Sequence, residues 1–197
     1  MPNTSGSAYG LTVLSPIADD RGKVPSTTAQ LRAFLGTLGR GVDSPFARML
    51  EHHFIRFVVI DDVFFEGYPA KVDHLRSPYL LFTSDFNGDL HAYLRKLVAT
   101  APREIEGIWG HCHGFPGTSD PSRFIDYIER CQITTNLYFA DNPDTTVEQV
   151  LRALQVQRRM IGFIERTQGS SAEPLQEAFR RFITEIRGLP TPPAGSV

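Results

Sequence analysis

Cysteine is scarce in this chain: Cys112 and Cys131 are the only two in 197 residues. That is too few for a disulfide framework, so each is expected as a small, reduced core residue. An excess of either charge is also lacking. The 20 Lys and Arg and 22 Asp and Glu are intermixed and leave a formal charge of −2. No basic field exists to hold a phosphate backbone, and no nucleic-acid partner is expected. Long apolar runs are missing too. Nothing approaches the roughly 20 apolar residues that span a bilayer, and Met1 to Ala18 has neither a charged start nor an unbroken apolar stretch. A cytoplasmic protein without membrane contact is expected.

A chain of 197 residues can bury one substantial core. The expected organisation is a disordered N-terminus over 1–8, a single α+β domain over 9–187, and a disordered Pro- and Gly-rich tail over 188–197. Tyr9 to Ile17 alternates as a strand, with Pro16 at its end. Ser26, Thr27 or Thr28 caps a helix carrying Leu31, Phe34, Leu35 and Leu38. His53 to Phe65 and Tyr79 to Phe86 are dense in strand formers, and Asn87-Gly88-Asp89 turns into a helix running to Thr100. Ile105 to His113 is expected as a strand, Ser122 to Cys131 as a helix and Thr135 to Ala140 as a last strand. Thr145 or Thr146 caps a long helix to about Gln168, and Leu175 to Ile186 forms another.

The resulting order, β-α-β-β-α-β followed by α-β-α-α, resembles the ferredoxin-like fold family. The strings Phe57-Val58-Val59-Ile60-Asp61-Asp62 and Leu80-Leu81-Phe82-Thr83-Ser84-Asp85-Phe86-Asn87-Gly88-Asp89, with the His111-Cys112 turn, also resemble a group of uncharacterised bacterial proteins of no known activity. That resemblance covers about residues 50 to 155. It implies dimeric α+β barrels, in which open sheet faces pair around a ligand cavity.

Alternation divides each expected strand between two faces. Leu80, Phe82, Phe86, Ile108, Gly110, Cys112, Leu137 and Phe139 form the set suited to lie beneath helices. The opposite set is amphipathic: Tyr79, Leu81, Thr83 and Asp85, then Trp109, His111 and His113, then Asn136 and Tyr138. The strand from His53 fits either way, so the side taken by His53 and Arg56 stays open. An amphipathic open face suits a homodimer interface or a small-molecule pocket.

The densest chemistry lies in Trp109-Gly110-His111-Cys112-His113. Two His at strand spacing resemble half a metal site, but a third ligand must come from Asp85, His53 or His91. Cys112 beside two His suggests a thiolate, which alternation opposes by turning it into the core. A haem ligand at His111 or His91 is a further alternative, without an attachment motif. Asp61 and Asp62 point to opposite faces and make no carboxylate dyad. The segment 66–77 is long for a hairpin and fits a lid or an assembly arm.

The leading expectation is a small-molecule-binding homodimer with His111 as general acid/base. Trp109, Tyr138, Thr83, Asn136 and Arg56 would bind substrate. The alternatives are a non-enzymatic homodimeric interaction protein and a haem- or metal-dependent oxidoreductase. The cofactor, if any, stays unknown.

Overall fold

Alternation of buried and half-buried residues along two nine-residue strands, interrupted only where Gly10 and Leu11 are both buried, builds the centre of the sheet. The computed structural model describes residues 3–18, 22, 24–63, 67–69 and 74–196. Among them the strands are β1 (Thr4–Ser5), β2 (Ala8–Pro16), β3 (His52–Ile60) and β4 (Tyr79–Asn87). They form one antiparallel sheet in the order β1-β2-β4-β3, giving an α+β architecture. The first strand occupies part of the N-terminal segment expected to lack order. The third ends at Ile60, short of Phe65, and Phe64 and Phe65 lie outside the described residues.

Helix starts follow the side chains that can cap them. In α1 (Thr27–Thr37) the cap is Ser26, whose Oγ accepts from the Ala29 amide; in α2 (Leu90–Thr100) it is Asp89, which accepts from Ala92. Asp120 and Pro121 start α4 (Pro121–Cys131), and Thr146 with Gln149 forms a full capping box on α5 (Val147–Thr167). The last helix, α6 (Ala172–Arg187), folds back on α5 through Phe163, Phe179 and Phe182 and the ion pair Arg159–Glu185.

Two expected strands do not form. Residues 102–109 are a helix, α3 (Pro102–Trp109), with Pro102 in the first turn. Ile105, Ile108 and Trp109 recur at the i, i+3, i+4 spacing of a helix and are fully buried, so the two-residue alternation applied to this segment was the wrong period. Gly107 lets α3 touch α1 closely, since a Cβ there would lie 2.1 Å from Cζ of Phe34. Residues 135–140 are not a strand either. The chain touches the edge of β2 only briefly, by the Val13–Gln132 bridge and the Ile133 amide on Thr12 O, and then leaves it. Leu137 and Phe139, expected in the core, are 84% and 79% exposed.

The core lies between one sheet face and helices α2, α3 and α4. Leu11, Val13 and Ile17 of β2 and its end meet Leu80, Phe82 and Phe86 of β4 there, with Leu94, Leu97, Ile105, Trp109 and Phe124 above them. From β3, Ile55, Phe57 and Val59 join the same side. Alternation therefore sends Phe54, Arg56 and Val58 to the opposite, open face with Thr83 and Asp85.

Candidate functional site

Of the six residues expected to form a site, the structure keeps three on or against the open face. Thr83 and Arg56 are cross-strand partners there, and the Arg56 guanidinium lies 5.4 Å from the Phe54 ring centre. Tyr138 lies against Gly10, whose cross-strand partner is Asp85. Asn136 is exposed on the same loop as Tyr138 but does not line the recess described below.

Trp109 and His111 are corrected. Trp109 is fully buried in the core because α3, not a strand, carries it; its indole donates to Ser15 Oγ at 3.2 Å, and its ring meets Phe57, Phe82 and Phe124 edge-on. His111 follows α3 beside the edge of β2, where its carbonyl accepts from the Ala18 amide. Its Nδ1 is buried and has no hydrogen-bond partner among the described residues. Cys112 is buried, as expected, and burial pushes its thiol up to about 12, which suppresses the thiolate. His91 pairs with Glu129 at 2.7 Å, tying α2 to α4.

A different set of groups converges at one end of the open face. Near the start of β3 the pairing slips, since His52 faces Phe86 while Phe54 faces Asp85, leaving His53 as the extra residue of a bulge. Bulges re-aim side chains, and here the His53 ring meets Asn87, with Nε2 2.6 Å from Oδ1. The Asn87 amide is fixed from its other end, because Nδ2 donates to Ser7 Oγ and to Pro143 O at 3.1 and 2.9 Å. Its Oδ1 can only accept, so Nε2 of His53 is the donor of this bond.

The wall opposite comes from the segment between α4 and α5. Thr135 donates its amide to Asn3 Oδ1, the Ser7 hydroxyl donates to Pro143 O, and the Ser7 amide donates to Asp144 Oδ1. These tethers carry the segment across the sheet and lay the Tyr138 ring on Gly10. Burial first, and then the Asp85 carboxylate, push the Tyr138 phenol up to about 12, so it is a neutral donor at physiological pH. His53, Asp85, Asn87, Tyr138, Phe139 and Asn142 thus line a recess of about 320 Å³.

No family model, curated protein or solved structure matches this chain. The recess itself carries the functional argument. Among the described residues no three His, Cys, Asp or Glu side chains gather as a metal site, and no helix is long and apolar enough to cross a membrane. The side chains present are those of acid/base chemistry: a carboxylate, an imidazole and a phenol. Sequence reasoning named Tyr138, left the side taken by His53 open while counting it among spare metal ligands, and gave Asn87 to a turn. The bulge that aims His53 leaves no local mark in the sequence, since the extra residue is defined by its partner strand.

The segment 66–77 is anchored at two points that the structure describes: Ser77 Oγ donates to Ile17 O at 2.8 Å, and Asp62 holds the residues before it. Asp62 accepts from the Val63 and Leu75 amides and pairs with His74 at 2.7 Å. These bonds hold its carboxyl down at about 2. Asp61 turns the other way, to Arg32 at 2.6 Å, in keeping with the expected divergence of the two carboxylates. Glu66, Lys71 and Asp73 lie outside the described residues.

Proposed function

We propose that the protein binds a small polar molecule in the recess beside His53, Asp85 and Tyr138 and transfers a proton to or from it. The observation carrying this reading is the Asn87-fixed His53, an imidazole that lines a recess together with a carboxylate and a phenol. Exposed Phe139 and the apolar body of Tyr138 supply the contact area that a ligand with a flat or aliphatic part requires. The strand order, with β4 between β2 and β3, supports a ferredoxin-like reading of the first three long strands. The test is ligand-observed NMR with a library of small carboxylic acids, amides and phenols. Hits are expected to bind His111→Asn unchanged and to lose binding to Tyr138→Ala and His53→Ala; hits that bind all three equally would refute the site.

A homodimer is a second reading, favoured by a separate observation on α5. Val150, Leu154, Ile161 and Ile164 are 37–51% exposed and, with Gln157, recur at steps of four, three, four and three. That is a heptad pattern of exposed apolar residues, the pattern with which helices pair. Sedimentation equilibrium is expected to show a dimer that Leu154→Glu with Ile161→Glu converts to monomer. A monomeric parent protein would rule this reading out.

A further inference from the structure

The two edges of the sheet are treated differently. On the β2 side three outward backbone groups have partners: Gly10 N–H donates to Asn3 O, Thr12 O accepts from Ile133 and Pro16 O accepts from His113. Because outward and inward groups alternate across an antiparallel sheet, the same register turns the backbone groups of Ile55, Phe57 and Val59 outward on the β3 side. Only one of these has a partner among the described residues, Val59 O, which accepts from the Arg32 guanidinium at 3.2 Å. This stretch of edge has no proline, no lysine and no bulge, the usual devices that block strand addition.

Beside the open edge runs a groove of about 550 Å³. Leu35, Leu38 and Phe46 form one wall, and Ile55 and Phe57 the other. Its charged lining is of one sign. Arg40 and Arg56 border it, neither makes an ion pair among the described residues, and no acidic side chain lines it. From Ile55 to Val59 the edge offers about 13 Å of hydrogen-bonding backbone, at about 3.3 Å per residue.

We infer that the β3 edge and its groove take up an extended peptide segment of another protein as an added strand, with apolar side chains facing Leu38 and Phe46 and acidic side chains facing Arg40 and Arg56. The N–H groups of Ile55, Phe57 and Val59 and the carbonyls of Ile55 and Phe57 supply the main-chain bonds, and the groove and the two arginines supply the selection. This is independent of the recess, which lies at the His53 bulge and shares no lining residue with the groove.

The probe is a capped synthetic hexapeptide alternating glutamate and valine, added to the ¹⁵N-labelled full chain. Amide exchange at Ile55, Phe57 and Val59 is expected to slow by at least about tenfold. Methylating alternate backbone nitrogens of the peptide, or replacing its glutamates with lysines, is expected to abolish binding. Gly36→Glu tests the groove without disturbing the core, because a Cβ on Gly36 meets nothing within 4 Å. It is expected to weaken binding by at least about tenfold with an unchanged melting temperature. Unchanged exchange at the three amides would overturn the proposal, as would equal binding of the N-methylated peptide. Protection of those amides in the protein alone, together with a dimer in sedimentation that Leu154→Glu with Ile161→Glu leaves intact, would assign the edge to a second copy and overturn it equally.

Discussion

A Cβ on Gly10 would stand 2.6 Å from Cδ2 of Tyr138, so the aromatic ring rests directly on the bare backbone of β2. The absent side chain is what allows the segment after α4 to lie flat on the sheet and close the recess. Gly10→Ala is therefore expected to lift Tyr138 away. With ¹³C-labelled tyrosine followed by NMR, the Tyr138 phenol should titrate closer to an ordinary tyrosine than the value of about 12 it has in the recess. An unchanged titration would show that the ring is held elsewhere.

The contact between Gly107 and Phe34 makes a second, independent prediction. The ring atom nearest an added Cβ is at 2.1 Å, too close for any side chain to be accepted without moving one helix. Gly107→Ala should lower stability by about 1–3 kcal/mol despite the better helix propensity of alanine, as overpacking usually does. Urea unfolding measures it.

Trp109 provides a readout for such experiments. As the only tryptophan, buried among aromatic rings, it should emit at short wavelength in the folded protein and shift to the red on unfolding. Ser15→Ala leaves the indole N–H without its acceptor in the core and is expected to cost about 1–3 kcal/mol. Stability equal to the parent would mean that the indole finds another acceptor.

His52 sets an acid limit. Burial lowers its pKa below the usual 6.5, so the folded state disfavours the proton that the unfolded chain takes up. The stability it contributes is present above pH 6.5 and is lost as the pH falls from there through its folded pKa. Urea midpoints between pH 7.5 and 5 should fall for the parent protein and fall less steeply for His52→Phe. Parallel curves would remove His52 from the account.

Much of the fold was legible locally. The alternation of Leu80, Phe82, Ser84 and Phe86 gave β4 its buried face, and Ser26, Asp89 and Thr146 marked three helix starts. The segment from Ile105 misled because Ile108, Gly110 and Cys112 also fit a period of two when read as a short run. A run of this length carries both patterns, and Pro102 before it was the better guide, since proline suits the first turn of a helix. The error moved Trp109 and His111 off the open face together, and with them the expected centre of chemistry.

What the sequence determined by itself were properties satisfied within a few residues: caps, helical stripes, the two faces of β4 and the absence of any membrane-spanning helix among the described residues. Only the tertiary structure decided where the candidate recess lies. His53 is aimed by a register slip against β4, and Tyr138 is delivered by bonds such as Thr135 to Asn3, which are 132 positions apart. Hydrogen bonds of that span depend on which strand is already in place, and no local pattern of residues records them.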